Sequence, residues 1–506
     1  MATPSHVVPL RALLIGLPLL SLLIVFQQLH RPAPLPTPLR THAHAQPSSA
    51  AAAEAEEALV NSPTSLSSSS STTPARESQL RSEPTSLRHV VFGIASSRRT
   101  LPLRLQLLRL WLRAPARAFL FLDAPAPAPV VAGGLPRGLA LRVSADASRF
   151  PYTHPRGLPS AVRVARIAGE LVAALRQEEE EGRREPPRWL VLADDDTAFV
   201  LPNLLRALRG YDHREPWYLG ARSESAAQNA WHGFAMAYGG AGIAVSWPLA
   251  RRLARALDSC VLRYPHLYGS DARIYACLAE LGVELTHEPG FHQIDLHGDI
   301  SGLLSAHPLS PLVSLHHLDH VYPLYPGMDR TRAMKHFFRA ANADPARILQ
   351  QTVCYDRKRS LTVSIAWGYS VQVFKGNVLL PDLLAVQKTF VPWKRGRNVT
   401  DVYMFNTKHV PRDECKRGAL FFLKSISSGE GKTETTYNRQ PPRKCSHGLM
   451  PLRNLSMIKV TAEQLQLVPG KALRRHCCDI VPSSSDTTMD INIKKCKDDE
   501  LIAMHS

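Results

Sequence analysis

The sequence lacks the patterns that mark several common classes of protein. None of the eight cysteines in the 506-residue chain forms a CxxC pair, which argues against a structural zinc site and a thioredoxin-like redox motif. There is no finger-type Cys/His spacing, no basic heptad helix and no internal repeat. We therefore expect no nucleic-acid partner.

The chain is nevertheless strongly basic, with a formal net charge of +18 at pH 7. Such a balance attracts nucleic acid, anionic lipid or an anionic substrate, and it does not choose among them. The hydrophobic content of 44% and the charged content of 21% are those of an ordinary globular protein. The length allows two or three domains with buried cores. A solvated basic surface explains the charge equally well.

The N-terminal residues predict a membrane anchor followed by a stem. Val7–Phe26 is largely apolar and long enough to span a bilayer. A cleaved signal peptide is the alternative, but its candidate cleavage site at Ala43–Ala45 lies far from the apolar run. Residues 27–86 are rich in Pro, Ala, Ser and Thr, which predicts disorder. With a cytosolic tail at 1–6, this layout predicts a single-pass type II protein of the Golgi membrane.

The cysteines and the C-terminal part point to an oxidising lumen. Five of the eight cysteines follow residue 400, beside glycosylation sequons at Asn398 and Asn454. Cys477 and Cys478 are adjacent and cannot easily pair with each other, so each is expected to have a distant partner. Strand-like runs of period two after residue 340 predict a small β-rich domain. This domain either helps to bind an acceptor or only stabilises the fold.

From residue 87 the chain alternates between strand and helix patterns. Three short apolar runs predict buried strands, and two segments with apolar residues at helical spacing predict helices. In chain order these segments are Val90–Ala95, Leu101–Leu112, Phe119–Leu122, Ala161–Leu175 and Trp189–Ala193. The acidic run Glu178–Glu181 is expected to be a solvated turn. The alternation predicts an α/β fold with a mostly parallel sheet.

Three consecutive aspartates, Asp194, Asp195 and Asp196, follow the third strand directly. Ligands of open α/β sheets bind at the carboxyl ends of the strands. Adjacent carboxylates repel each other unless they share a cation, and oxygen ligands suit Mg²⁺ or Mn²⁺, which in turn bind phosphate. Alternate residues of an extended segment face the same way, so Asp194 and Asp196 are expected to point together. The alternative is an acidic loop that caps the helix beginning near Pro202.

A glycine-rich segment and a fourth aspartate come next. Gly239, Gly240, Ala241 and Gly242 allow the backbone to approach a ligand closely, and no Walker-type Gly-Lys-Ser/Thr follows them. Asp271 precedes a helical pattern, where an aspartate is either an N-cap or a general base. The sequence alone does not separate these two roles.

Two histidines, His292 and His316, can each complete the aspartate site as a metal ligand. The more common role of a lone histidine is an ordinary hydrogen-bonding residue. A metallohydrolase centre on His316 and His320 is disfavoured, because no Glu lies between them and nearby prolines prevent a long helix.

The order of these motifs resembles the Fringe-like β1,3-glycosyltransferases and, more closely, the plant Fringe-related family. The resemblance covers roughly residues 88–340, and the rest of the chain resembles the C-terminal extension of those plant proteins. It implies a GT-A fold, a Rossmann-like α/β domain, at 87–340, with a β-rich extension at 341–506. The stretches that carry it are HVVFGIASSRRTLPLRLQLLRLWLR, LADDDTAFV, MAYGGAGIAVSWPLA, GVELTHEPGFHQIDLHGDISGLLSAHPLSPLVSLHHLD and VYPLYPGM.

The resemblance also implies roles for individual residues. Asp196 would bind Mn²⁺ or Mg²⁺, with Asp194 supporting the metal or contacting the donor ribose. Asp271 matches the family's catalytic aspartate, which takes a proton from the acceptor hydroxyl. The metal-binding histidine is either His316, which resembles the SFH segment of mucin-type core galactosyltransferases, or His292, which resembles the Fringe FHS segment, and His316 is favoured. The expected donor contacts are Asp195, Asp123, Ser96, Arg98, Arg99, Gly239, Gly240, Ala241 and Gly242.

The sequence departs from the Fringe pattern at two places. Ser270 stands where Fringe proteins have the first aspartate of Pro-Asp-Asp, and Ile294 replaces a second histidine after FHS. The resemblance implies inverting transfer of a hexose or N-acetylhexosamine from a UDP-sugar to a glycan or glycoprotein hydroxyl, in a β1,3 linkage. The alternative is a non-catalytic carbohydrate-binding or scaffold protein of the secretory pathway that retains the fold. A polyanion-binding protein has only the charge in its favour.

Overall fold

The computed structural model describes residues 83–504 apart from 183, 395–400, 442–451, 453, 469–470 and 484. The predicted tail and anchor, nearly all of the predicted stem, and Asn398 lie outside the described residues. Among the residues that are described, none of the helices has the length and apolar character needed to cross a bilayer. All of the described residues belong to one compact unit, Ser82–Ser506.

Residues 90–343 alternate between strands and helices, as the sequence pattern predicts. In chain order the elements are β1 (Val90–Ala95), α1 (Leu101–Trp111), β2 (Arg117–Leu122), α2 (Ala128–Ala132), β3 (Leu139–Val143), α3 (Ser160–Glu180), β4 (Trp189–Asp194), β5 (Ala198–Phe199), α4 (Leu201–Leu208), β6 (Tyr218–Gly220), α5 (Ala226–His232), β7 (Ile243–Ser246), α6 (Trp247–Arg263), α7 (Ser270–Glu280), β8 (Thr286–His287), β9 (Phe291–His292), β10 (Leu296–Gly298), α8 (Ser301–Ser305), β11 (Ser314–Leu315) and α9 (Arg330–Ala343). The five predicted segments are all confirmed.

One local prediction in this region is wrong. Most of the acidic run Glu178–Glu181 is helical, because α3 continues to Glu180. Glutamate is a good helix former, and Glu178 forms an ion pair with Arg117 of β2. The run therefore extends a helix where a turn was expected.

Seven strands form one sheet in the order β3-β2-β1-β4-β7-β6-β8. The four strands from β3 to β4 are parallel, and β7 runs antiparallel to both of its neighbours. From β1 the chain builds outward to β3 and then returns to the other side of β1 as β4. The carboxyl ends of β1 and β4 therefore flank the point where strand order reverses, which is where ligands of such sheets bind.

Both faces of this sheet are covered, which explains the continuous apolar run of β1. Phe92 and Ile94 pack into the apolar cluster on one face, and Val91 and Ala95 into the cluster on the other. Gly93 lies between them, and a Cβ added there would be 2.8 Å from Leu171 Cδ2 of α3. The glycine allows α3 to lie close against the sheet.

Residues 351–494 add a second sheet with eight strands. The elements of this part are β12 (Gln351–Asp356), β13 (Leu361–Ala366), β14 (Ser370–Lys375), α10 (Leu380–Leu384), β15 (Val386–Gln387), β16 (Phe390–Pro392), β17 (Thr407–Lys408), β18 (Ala419–Gly429), β19 (Lys432–Arg439), β20 (Met457–Glu463), β21 (Cys477–Val481) and β22 (Thr488–Lys494). The strand order is β12-β13-β14-β18-β19-β20-β22-β21. Buried residues of both sheets, such as Leu120 and Val371, belong to one continuous apolar cluster.

Residues 386–394 and 401–408 leave the eight-stranded sheet and pack against the first part of the chain. Their strand β16 pairs antiparallel with β10, and Tyr403 forms an isolated bridge with Ser225. Disulfides add covalent links, and the described ones are Cys260–Cys277, Cys354–Cys478 and Cys477–Cys496. The prediction that the two adjacent cysteines have separate, distant partners is confirmed.

Candidate active site

A small three-stranded sheet at the switch point brings the aspartates and the histidines together. Its order is β5-β11-β9, with β11 antiparallel to β5 and parallel to β9. Strand β5 begins two residues after Asp196, and β11 ends one residue before His316. Their pairing therefore places His316 beside the end of β4.

Asp194, Asp196 and His316 form a group whose potential ligand atoms all lie within 4.8 Å of one another. His316 Nε2 is 2.9 Å from Asp196 Oδ1 and 3.6 Å from Asp194 Oδ2. The two carboxylates thus point to the same side, as the extended geometry predicts. Asp194 keeps 42% of its side chain exposed, so a ligand can reach the group. Two carboxylates and one imidazole suit Mn²⁺ or Mg²⁺.

The charges of this group are strongly coupled. Burial opposes a charged imidazole, but the attraction of Asp196 and Asp194 outweighs it and raises the pKa of His316 to about 9. Burial opposes a charged carboxylate at Asp196, but His316 and Arg104 hold its pKa below the usual value. Desolvation raises the pKa of Asp194 to about 7 despite His316, and the neighbouring carboxylates add to the rise. The two carboxylates compete for one cationic partner, a situation that a divalent cation relieves.

The side chain of Asp195 contacts β1 and α1 rather than His316. Its hydrogen bonds and ion pair connect the end of β4 to these two elements. Its Oδ2 accepts hydrogen bonds from Ser96 Oγ at 2.6 Å and from Thr100 Oγ1 at 2.9 Å. Arg104 Nε lies 3.0 Å from the other carboxylate oxygen. Burial raises the pKa of Asp195 although these hydrogen bonds and Arg104 lower it. Asp195 and Ser96, which were expected to contact the donor, are thus bonded to each other across the switch point.

The glycine-rich segment forms a 3₁₀ turn that fits closely against two of the site residues. A Cβ added to Gly240 would lie 2.1 Å from His316 Cε1, so only glycine leaves room for the imidazole. The Gly239 N–H donates to Asp271 Oδ2 at 3.3 Å. Gly242 has φ +106°, a conformation that strains other residues. The segment expected to contact the donor therefore packs against His316 and hydrogen-bonds to the fourth aspartate.

The same turn is hydrogen-bonded to the small sheet. Thr197 Oγ1 donates to the Gly240 carbonyl at 2.7 Å, and the Ala241 N–H donates to Gln293 Oε1 at 2.8 Å. Gln293 in turn offers its backbone carbonyl to His316 Nδ1 at 3.3 Å. These bonds orient the imidazole so that Nε2 faces the carboxylates.

Asp271 is the second residue of α7, and the N-cap is Gly269, so the interpretation of Asp271 as an N-cap is wrong. Its Oδ1 accepts from the Ala272 N–H at 2.8 Å, and its Oδ2 from the Gly239 N–H. With Asp194 it lines a small cavity of about 30 Å³. Burial raises the pKa of Asp271 above that of an ordinary aspartate, although both N–H groups lower it. A carboxylate with these properties can accept a proton.

His292 belongs to a separate buried network. Its Nδ1 is 3.1 Å from Glu224 Oε1, and its Nε2 is 3.0 Å from His307 Nε2. Glu224 Oε2 also accepts the backbone N–H of Ile294 at 2.7 Å. Both ring nitrogens of His292 therefore have protein partners. The structure brings His316, and not His292, into the group with the aspartates.

The expected nucleotide contacts lie at the ends of β1 and β2. The Arg98 N–H donates to Asp123 Oδ1 at 2.7 Å, which ties the two strand ends together. Asp123, Arg98 and Arg99 are all exposed beside the switch point. Their side chains are accessible to a ligand there.

Two simpler interpretations of the motifs are wrong. The aspartate triplet does not cap the helix that follows it, because the N-cap of α4 is Val200 and no side chain caps it. Residues 316–320 are not helical: the His320 N–H donates to the His317 carbonyl at 2.9 Å in a turn. A pair of metal ligands on one helix is therefore absent at these positions.

Several residues at the site were not singled out from the sequence. Arg104 pairs with Asp319 as well as with Asp195. His317 has φ +55°, and its ring stacks on Trp393 at 4.2 Å between centroids. In the sequence, Arg104 has the spacing of an ordinary surface arginine on an amphipathic helix. Trp393 is placed beside His317 by the pairing of β16 with β10. The sequence carries no local signal for either contact.

Comparison with known proteins gives a family match and similarity to curated relatives. A family described as "Protein of unknown function, DUF604" matches residues 228–478, a stretch that includes Asp271 and His316 and most of the eight-stranded sheet. Beta-1,3-glucosyltransferases of Homo sapiens and Mus musculus are each 34% identical over 105 residues. That region is 21% of this chain and 20% of each relative, so the chain covers about a fifth of their length. The matches support the resemblance to a Fringe-related family.

Proposed function

We propose that the protein is a metal-dependent, inverting glycosyltransferase with a GT-A-type domain at 87–340. It transfers a hexose or N-acetylhexosamine from a UDP-sugar to a glycan or glycoprotein hydroxyl, in a β1,3 linkage. The observation that carries this proposal is the group of Asp194, Asp196 and His316 beside the half-buried Asp271 at a switch point. The similarity to β-1,3-glucosyltransferases supports the reaction class.

In this proposal Asp194, Asp196 and His316 would hold Mn²⁺ or Mg²⁺. When bound, the cation would supply positive charge beside the diphosphate of the donor. Gly240 and Gln293 keep the His316 ring turned toward the carboxylates. Asp123 and Arg98 border the place where the nucleotide would lie, at the ends of β1 and β2.

Asp271 is the proposed general base. Its carboxylate takes the proton of the acceptor hydroxyl while that oxygen attacks the anomeric carbon. The bond from the anomeric carbon to the diphosphate oxygen breaks, and its electron pair leaves with UDP. The new bond forms on the opposite face, so one displacement inverts the configuration and no protein nucleophile is needed. The Gly239 and Ala272 N–H groups hold the carboxylate in place.

We also propose that residues 7–26 anchor the chain in the Golgi membrane with its catalytic part in the lumen. The support is the apolar N-terminal pattern and the described disulfides, which form in oxidising compartments.

The test is to titrate the full-length protein with a panel of UDP-sugars, with and without Mn²⁺, and to measure both binding and transfer or hydrolysis. We expect one donor to bind only with metal. Asp196→Ala should abolish that binding, Asp271→Asn should abolish turnover alone, and Asp499→Ala, an exposed aspartate outside the site, should change neither. Absence of any donor binding to the folded protein contradicts the proposal and favours the carbohydrate-binding alternative.

A further inference from the structure

A long groove lies against strands β14 and β18 of the eight-stranded sheet and ends beside the candidate site. It consists of one cavity of about 640 Å³ and one of about 620 Å³. The two cavities share Asp299, Tyr322 and Thr389 in their walls, so they adjoin each other. Ligand pockets are commonly about 300–1,000 Å³, so each cavity alone admits a small ligand and the two together admit a longer one.

One end of the long groove lies next to the group of Asp194, Asp196 and His316, called here the metal group. His320 and Trp393 line this end. Trp393 stacks on His317 at 4.2 Å, and the rings of His317 and His316 have centroids 3.8 Å apart. A single imidazole ring therefore separates the groove from the histidine of the metal group.

A chain of contacts also joins this end of the groove to the proposed base. Lys394, which follows Trp393, lies with its Nζ 3.6 Å from the centre of the Trp231 ring. His232, the next residue, packs against Tyr268 at 5.2 Å between centroids. Tyr268 is three residues before Asp271. Trp231 and Tyr268 remain 54% and 47% exposed, although large aromatic side chains are usually buried.

The walls of the long groove have the chemistry that recognises sugars. Tyr322 is 67% exposed and offers a ring face to the apolar C–H face of a sugar. Gln372 Nε2 donates to Gln387 Oε1 at 3.3 Å, which leaves one amide oxygen and one amide nitrogen to accept from and donate to hydroxyls. Asp299 adds a carboxylate. An aromatic face beside amide and charged groups that donate and accept hydrogen bonds suits a polyhydroxylated ligand.

We propose that the long groove binds the acceptor of the reaction as an oligosaccharide. The sugar that receives the new linkage lies at Asp271, between Tyr268 and Trp231, and the following sugars pass Trp393 and enter the groove at Tyr322. The inference rests on the proposed function and adds a substrate class to it: a glycan chain of several units, with no need for a folded protein acceptor.

The test is binding of labelled oligosaccharides to full-length Asp271→Asn protein with Mn²⁺ and UDP. The probes are gluco-, galacto-, manno- and xylo-oligosaccharides of one to six units. We expect one series to bind more tightly as its length increases. Tyr322→Ala should weaken binding of the longer members about tenfold, the factor expected from one aromatic contact, and so flatten the length dependence. Leu501→Ala, equally exposed at 68% but outside the groove, is the matched control.

Donor binding, measured in parallel, separates this inference from the proposed function. If a UDP-sugar binds with metal but every oligosaccharide series binds independently of length, the groove inference is wrong and the enzyme proposal stands. The groove inference is also wrong if length dependence survives in Tyr322→Ala, or if only a glycopeptide or folded domain serves as acceptor and Tyr322→Ala does not affect it. If no UDP-sugar binds, the enzyme proposal is wrong, and the groove inference, which rests on it, is wrong as well.

Discussion

Two buried clusters of histidine and carboxylate lie on neighbouring strands, yet they differ in every property that matters for binding a ligand. His316 follows β11 and faces Asp194 and Asp196, with part of Asp194 open to solvent. His292 ends β9 and is enclosed by Glu224 and His307, which use both of its ring nitrogens. The first cluster has ligand atoms to offer a cation, whereas the second has already satisfied its own polar groups.

The difference originates in strand register. Leu315 pairs with His292 across the parallel strands, so His316 is one position further along. Successive side chains of a strand point to opposite faces, and this single step separates the two imidazoles. A histidine beside a short strand therefore acquires its role from the face on which it lies, more than from the motif around it.

We call the cluster of Asp194, Asp196 and His316 the open cluster, and that of His292, Glu224 and His307 the closed cluster. The largest expected effect comes from removing a carboxylate of the open cluster. Asp196→Ala should lower kcat/KM by more than about 1,000-fold, because a metal-held leaving group contributes several kcal/mol of transition-state stabilisation. Glu224→Gln in the closed cluster should leave Mn²⁺ binding intact. Isothermal titration with Mn²⁺ and steady-state kinetics check both variants. Equal loss of Mn²⁺ binding in the two variants would contradict the distinction between the clusters.

The next largest effect concerns the base. Asp271→Asn should lower kcat by about 10²–10⁴-fold with little change in donor affinity. The base acts when deprotonated, so activity is lost as pH falls through its pKa. Because burial raises the pKa of Asp271, the loss should begin at a higher pH than for an ordinary aspartate near 3.9. The pH profile of kcat/KM measures this limb, which the asparagine variant should lack.

A smaller effect is expected from the glycine that allows His316 to approach. Gly240→Ala should weaken Mn²⁺ binding about 10–100-fold, the range for residues that orient a ligand, because its Cβ would displace the imidazole. Gly239→Ala is the matched control for metal affinity, since its Cβ would lie 3.5 Å from Asp271 Cβ in ordinary contact. Equal Mn²⁺ affinity in both variants would show that the ring position does not matter.

The smallest effect on function is expected in the closed cluster. His292→Ala leaves the polar atoms of Glu224 and His307 without this partner, which should cost about 1–3 kcal/mol of stability. Urea unfolding measures the change, and Mn²⁺ titration of the folded variant should match wild type. A variant of normal stability that no longer binds Mn²⁺ would instead make His292 a metal ligand.

The sequence predicts the strand and helix pattern well where apolar residues form uninterrupted or helical-period runs, as in Val90–Ala95 and Leu101–Leu112. It also predicts that Asp194 and Asp196 point together, because that follows from local extended geometry. It favours His316 over His292 only through the family resemblance, since the deciding geometry depends on how three short strands pair. Arg104 is missed for a related reason: its partners come from β4 and from the turn after β11.

The prediction of a turn at Glu178–Glu181 is wrong because a local feature of the sequence was misinterpreted. Charge density suggests a solvated turn, but helix propensity and one tertiary ion pair with Arg117 favour three more helical residues. Local composition is a weak guide wherever a distant residue supplies the deciding contact. The same limit applies to Trp393, which reaches His317 only through the pairing of β16 with β10.

Because β16 pairs with β10, the candidate catalytic residues and the wall beside them come from separate parts of the chain. The proposed metal ligands and base come from residues 194–316, whereas residues 386–394 and 401–408 are added to them as a separate wall. Mutations in that wall change what can lie beside Trp393 without altering the spacing of the carboxylates. Under the proposed function, substitutions in this wall would therefore alter the choice of acceptor before they alter the reaction.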